Sequence, residues 1–422
     1  MTSVNDVRHR RGRILVAGFC MQLALGAVYG WSVFLNPLRE AFGASRLEVS
    51  LVFTITLVML GITAGFGGYL QSRFGPRVIA MAAGILYGGG VVLSSFASTL
   101  PMLYLTYGVI GGIGLGFGYI VPLTVLTAWF PERRGQVTGL AVAGFGLGAL
   151  IMSPIATHLI TAIGVSNTLL SLGLIDLVVV VVASQFLVKA PEGFVPAGWA
   201  PCEGGPDETS SATLAEALRS SQWYLLWVIL SVNVTAGAAL ISVAAPLAQE
   251  LSKVGPRTGA IAVSVIALFN GMGRLFWGTV SDWIGRPRTF VAIFLLQVLA
   301  FALIASTDSF ALMLLPFALV ALCYGGGFGT MPAFAADLFG VRNAGMIYGT
   351  MLTAWSAGAV AGPMLISTMP YRSALSCIAV LLAVASAIPL AVSSPMVRQS
   401  RQSQLSAVIM AGQKRRQTPA ST

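Results

Sequence analysis

Apolar residues dominate the chain from position 14 to position 393, in long stretches separated by short polar breaks. The stretches cover 14–38, 47–70, 78–97, 101–130, 136–160 and 166–188, then 223–250, 258–281, 288–306, 309–338, 346–368 and 373–393. A helix that crosses a bilayer needs about 20 mainly apolar residues. The pattern therefore predicts six spanning helices, a polar interval over 190–221 and six more. The interval carries Pro191, Pro196, Pro201 and Pro206 with Glu203, Asp207 and Glu208, and reads as a loop. Its last part, Thr213 to Ser220, is expected to form a short surface helix before Trp223. The resulting organisation is an N-terminal six-helix half over 1–189, a linker over 190–221, a C-terminal six-helix half over 222–397 and a polar tail over 398–422.

Composition narrows the class further. Hydrophobic residues make up 56% of the chain and charged residues only 9%, against about 25% charged in an average soluble domain. Mean hydropathy is +0.85. A soluble globule could not solvate that much apolar surface, and a disordered chain is excluded by the same numbers. The 48 glycines suit closely packed membrane helices. Cys20, Cys202, Cys323 and Cys377 form no CxxC or Cys/His cluster, so no metal, disulfide or other cofactor chemistry is expected. The basic stretch Arg8–Arg13 precedes an apolar run too long for a signal-peptide core, which reads as a retained first helix.

The net charge of +10 would suit a nucleic-acid partner, but its placement does not. Counting Lys and Arg outside the spans gives 18 on the face that holds the N-terminus and 5 on the other. That asymmetry is the positive-inside signature, which puts both termini in the cytoplasm and the basic charge against lipid headgroups.

The two halves repeat. Gly68–Gly75 between the second and third spans recurs as Gly278–Gly285 between the eighth and ninth, 210 positions on. Pro122 and Pro332 share that offset. Internal repeats in a membrane chain point to a transporter with its site near the midplane, at the repeat interface.

These turns resemble the Gly-x-x-x-Asp-x-x-Gly-Arg hallmark of the major facilitator superfamily. The second copy keeps Asp282, Gly285 and Arg286; the first keeps Gly68 and Gly75, with Arg73 between them, but has Ser72 and Pro76 where an acid and a base usually stand. Two readings stay open for Arg73, Asp282 and Arg286: a gating network that pairs with acids at neighbouring helix ends, or tight turns with topology charges. The run from Trp129 to Gly144 resembles the fifth-helix signature of the monocarboxylate porters. Gly26–Trp31 is similar to their first-helix pattern. Phe269–Arg274, followed by Trp277-Gly278 and Ser281-Asp282, is similar to the bacterial oxalate/formate antiporter group. The resemblance implies an all-α membrane protein of twelve helices in two pseudo-symmetric halves, a carrier and not an enzyme, acting as a monomer in a bacterial inner membrane.

One cation stands deep inside a span. Arg274 lies in the eighth stretch, where an unpaired charge costs several kcal/mol. Its planar fork can grip a carboxylate bidentately. That carboxylate belongs either to a substrate or to the protein, with Asp176 and Asp337 as candidates. Asn270 precedes it by one helical turn and serves a substrate oxygen or a helix–helix hydrogen bond; many proton-coupled relatives carry an acid there. The oxalate pattern has a lysine in its eleventh helix, and the matching residue here is Trp355. A single cation favours a small organic monocarboxylate over a dianion. Tyr29, Tyr119 and Tyr324 lie in Gly-rich helix segments and either line the cavity or pack. His158 and Asp176 are the proton-carrier candidates within spans. The expected activity is secondary transport of a monocarboxylate with a proton or counter-anion; the alternatives are oxalate/formate-type exchange or facilitated passage of a neutral solute.

Overall fold

The computed structural model describes residues 4–191, 194, 196, 212–340 and 343–392. Cys202, most of the linker and the tail from 398 lie outside the described residues. Every regular element described is helical.

The first span runs as Val4–Leu25, tightens to a 3-10 helix over Gly26–Gly30 and resumes as Ser32–Phe42. The second, Arg46–Phe74, opens on a reciprocal cap between Ser45 and Glu48. The third is Pro76–Ser94. The fourth begins at Leu100–Leu103, widens to a π-helix over Tyr104–Gly111 and continues as Gly112–Trp129. The fifth and sixth are one helical run, Arg134–Ser184, reversed at Gly164 (φ 82°, ψ 166°). The expected surface helix is Leu214–Arg219, with Thr213 and Glu216 capping each other. Those hydrogen bonds hold the Glu216 carboxyl below its ordinary value. Spans seven to ten are Ser221–Ser252, Pro256–Ile284, Arg286–Ser306 and Phe310–Phe339. The eleventh is broken at Leu352 into Ala344–Met351 and Thr353–Thr368, and the twelfth is Tyr371–Ala385.

The repeat seen in the sequence is a structural repeat. Arg46–Phe74 and Pro256–Ile284 each hold 29 residues, and each ends 210 positions from its counterpart. Each is followed by a glycine in nearly the same left-handed conformation, Gly75 at φ 85°, ψ 155° and Gly285 at φ 86°, ψ 150°. A side chain is strained at that φ, which is why both turns hold glycine.

Packing repeats as well. Span 2 packs on 4, 1 on 5 and 3 on 6; in the other half 8 packs on 10, 7 on 11 and 9 on 12. The halves meet through spans 5 and 8 and through spans 2 and 11. Spans 3, 6, 9 and 12 present large apolar side chains outward, among them Ile85, Leu174, Val178, Val182, Leu295, Leu299, Val380 and Val384. Such a belt would aggregate in water and is at home in lipid.

The end that carries the turns after Phe74 and Ile284 is here termed the basic end, and the opposite one the far end. Polar links between the halves run from mid-bundle to the far end. Ser356 Oγ donates to Val58 O (2.8 Å), Ser367 to Ser50 (3.0 Å), Asn36 to Gln249 (3.2 Å) and Arg46 to Met369 O (2.9 Å). Arg46 also lies over the Tyr371 ring at 4.1 Å and 4.0 Å from Glu250.

Candidate functional site

Spans 8 and 10 come together through glycines. A Cβ on Gly325 would overlap the Asn270 carbonyl, and one on Gly329 would overlap the Arg274 carbonyl. Gly325 and Gly329 are one turn apart, as are Asn270 and Arg274, so the two helices are locked in register at the two residues of interest. The Gly-rich runs of the sequence therefore serve close helix packing.

Arg274 is 2% exposed. Its Nε, Nη1 and Nη2 are buried with no hydrogen-bond partner. Its guanidinium faces two aromatic rings, Phe328 at 5.3 Å and Phe145 at 5.9 Å. Cation–π attraction contributes about 0.5–2 kcal/mol and offsets only part of the several kcal/mol that burying the charge costs. Neither acid weighed as a partner reaches it. Asp337 pairs with Arg286 at 3.0 Å, and Asp176 lies with Tyr87 and Tyr107 in the N-terminal half. Among the described residues, Arg274 forms no ion pair.

The aromatic residues singled out in the sequence converge on Phe145. Tyr29 and Tyr119 meet its ring edge-on at 5.3 and 5.2 Å, and Trp355 stands 6.0 Å away. Trp355 also contacts Tyr119 at 5.3 Å and Phe328 at 4.6 Å, and Tyr324 meets Phe328 at 5.3 Å. The Tyr29 and Tyr324 hydroxyls share a hydrogen bond of 3.0 Å across the two halves. Tyr119 stands close to the guanidinium and Tyr324 close to the Trp355 indole, both outside bonding geometry. Trp355 Nε1 and both polar atoms of Asn270 are buried without a hydrogen-bond partner. The helix–helix hydrogen bond considered for Asn270 is therefore not made.

Several neighbours were not anticipated from the sequence. Phe145 and Phe328 form the cage around the cation. Tyr348 is buried within electrostatic reach of Tyr119 and Arg274. Gln22 Nε2 donates to Tyr119 O at 3.1 Å, and Asn233 Nδ2 donates to Tyr324 O at 3.1 Å while accepting from Gln297 at 2.8 Å. Only polar residues inside apolar spans gave any signal, and Gln22, Asn233 and Gln297 carried it. The phenylalanines carried none. His158 is exposed and stands outside the cluster.

The turns at the basic end are unequal. Arg286 joins Asp282 at 2.6 Å, Asp337 at 3.0 Å and Ser281, which ties the turn between spans 8 and 9 to span 10. Arg73 lies over the Phe74 ring at 5.6 Å and forms no ion pair among the described residues. A different contact serves that half: Arg11 pairs with Glu132 and lies over Phe130 at 4.3 Å.

The family model described as Major Facilitator Superfamily matches residues 14–363. The uncharacterized MFS-type transporter YhjX of Escherichia coli (strain K12) is 31% identical over 84% of this chain and 87% of its own length. The oxalate:formate antiporter of Oxalobacter formigenes is 29% identical over 82% of this chain and 81% of that protein. Monocarboxylate transporter 3 of Mus musculus is 38% identical over 33% of this chain and 29% of its own. In fold, the chain is similar to a bacterial homolog of the human lysosomal transporter Spinster, solved inward-facing and unoccupied. Their TM-score is 0.72 at 16% identity, covering 91% of this chain and 97% of that one.

Proposed function

Because this chain belongs to the major facilitator superfamily, we propose that it is a secondary carrier of a small organic monocarboxylate, with Arg274 as the anion-binding residue. The observation that carries this reading is the unpaired, buried guanidinium. A charge left without a partner in a low-dielectric core favours any anion that can reach it. Its planar fork matches a carboxylate, and the aromatic rings around it offer apolar contact to a short tail. Asn270 and the Trp355 indole add hydrogen-bonding groups for a second substrate oxygen.

Oxalate exchange is the second reading, favoured by the relationship to the oxalate:formate antiporter. Against it, Trp355 stands where that pattern has a lysine, and a dianion would leave one carboxylate uncompensated. A neutral solute would leave the Arg274 charge unmet. In the proposed arrangement the carrier is a monomer of a bacterial inner membrane with both termini cytoplasmic. The halves rock about the 5–8 and 2–11 contacts, with Arg73, Asp282 and Arg286 at the inner gate, and movement is coupled to a proton or a counter-anion.

Thermal stabilisation of the purified protein across mono- and dicarboxylates tests the reading. A ligand at 100 times its Kd stabilises by about 2.7 kcal/mol. Monocarboxylates such as lactate, pyruvate and formate should stabilise, and oxalate less so. Stabilisation by dianions alone, or by none of the panel, would reject it. Reporter fusions at Cys202 and at Thr422 should both signal the cytoplasm; a periplasmic signal at either reverses the orientation.

A further inference from the structure

We propose that Asp176 is a proton-binding site, separate from the Arg274 site, that is loaded from the far face and couples proton movement to carriage. The coupling part rests on the carrier reading; the proton site does not.

Asp176 is 7% exposed and stands midway along the sixth span, within the run Arg134–Ser184. Among the described residues its carboxyl has neither a hydrogen-bond partner nor a cation. Two buried phenols, Tyr87 from span 3 and Tyr107 from span 4, lie within electrostatic reach of it. Neither forms a hydrogen bond through its hydroxyl among the described residues. No Lys, Arg or His of a packed element acts on the carboxyl. A carboxylate in such surroundings is neutralised by a proton, because there is no cation to do so.

A cleft approaches the acid from the far end. The cleft, of about 220 Å³, opens between spans 1, 3 and 6, lined by Ser94, Ser98 and Ser166 among apolar residues. Ser94 shares a 2.9 Å hydrogen bond with Thr106. Leu169 of the cleft wall and Asp176 are seven residues apart on the sixth span, so the cleft stands about 10 Å from the acid along the helix.

A mechanical link is also present. Tyr107 belongs to the π-helical stretch Tyr104–Gly111, and the same span continues as Gly112–Trp129 with Tyr119 at the substrate cage. π-Helical turns are frequent at functional sites. Deprotonating Asp176 places a charge against this turn, so the proton state of the acid bears on the helix that carries Tyr119. Asn270, beside Arg274, has no proton to give. A coupled proton therefore needs a site elsewhere, and Asp176 is a buried acid within a span with no cation beside it.

Infrared difference spectroscopy of the purified protein during a pH titration tests the site without any substrate. The wild type should show the carbonyl stretch of a buried protonated acid that fades on raising pH and shifts in D2O. Asp176→Asn should lack that band. Asp176→Glu, which keeps an acid, should retain a titrating band displaced in pH and guards against misfolding of the Asn variant. Absence of the band in wild type, or its persistence in Asp176→Asn, overturns the site. Coupling is read from labelled lactate in proteoliposomes. Asp176→Asn should lose uptake driven by a pH gradient while keeping lactate–lactate exchange; gradient-driven uptake at the wild-type rate overturns the coupling. If wild-type protein carries no carboxylate, the carrier reading falls and the infrared result alone decides the site.

Discussion

Replacing Arg274 by Lys keeps a positive charge in span 8 but removes the planar fork, so carboxylate binding should weaken. Gln removes the charge. A hydrogen bond to a charged group contributes about 1.5–3 kcal/mol, so carboxylate-induced stabilisation should then require roughly a hundredfold more ligand. The unloaded protein should respond in the opposite sense. Arg274 has no ion-pair partner among the described residues, and removing an unpaired buried charge relieves a cost. The Gln variant should therefore melt no lower than wild type in detergent. A lower melting temperature with unchanged affinity would make Arg274 structural. Trp355 tests the other side of the cage. It shares Phe145 and Phe328 with the guanidinium as neighbours. Trp355→Lys would place a second cation there, and the preference should move from monoanion to dianion. An unchanged preference in a folded variant would remove Trp355 from the site.

At the level of elements, the register between spans 8 and 10 depends on two glycines. A methyl group at Gly325 would collide with the Asn270 carbonyl, which is backbone and cannot swing aside. Overpacking of this kind costs about 1–3 kcal/mol or more. Gly325→Ala should lower the melting temperature and weaken carboxylate binding together, because Arg274 shifts with its helix. Retention of both properties would mean that the helices tolerate separation. The contact between the halves is tight in the same way at Gly146, where a Cβ would lie 2.8 Å from Gly271 Cα. Span 5 thereby approaches span 8 beside the cage, which lets a change in one half be felt at the residue that belongs to the other.

For the whole molecule, polar contacts join the two halves at the far end, and Arg46 makes three of those contacts. From the N-terminal half it reaches the Met369 carbonyl, the Tyr371 ring and Glu250, all in the C-terminal half. Arg46→Ala should shift the carrier toward states open at the far end. Ser50 is buried against Ser367. Labelling of Ser50→Cys by a membrane-impermeant maleimide should therefore run several-fold faster with Arg46→Ala than without it. Equal rates would show that Arg46 does not hold the halves. The basic end is fastened unequally, by Arg286 with Asp282 and Asp337 in one half and by Arg11 with Glu132 in the other. Ser72 in place of the usual acid is the sequence change that matches this asymmetry.

The number of spans, their division into two halves and the one cation inside a span were legible in the sequence. The bilayer demands about 20 apolar residues per crossing, and a lone Arg in such a stretch stands out by cost. Glycine at the two turns was legible too, because the left-handed φ there excludes side chains. The tertiary structure decided which side chains surround Arg274. In a membrane protein both the lipid-facing and the core-facing surfaces are apolar, so hydrophobic pattern does not say which face turns inward. Phe66 and Phe276 are exposed while Phe145 and Phe328 are buried around the cation, and nothing in their local sequence separates them. The break at Leu352, the π-helical stretch of span 4 and the pairing of Asp337 with Arg286 were likewise settled by packing between distant segments. Those contacts depend on how the helices are arranged about one another, which periodicity within a single span does not encode.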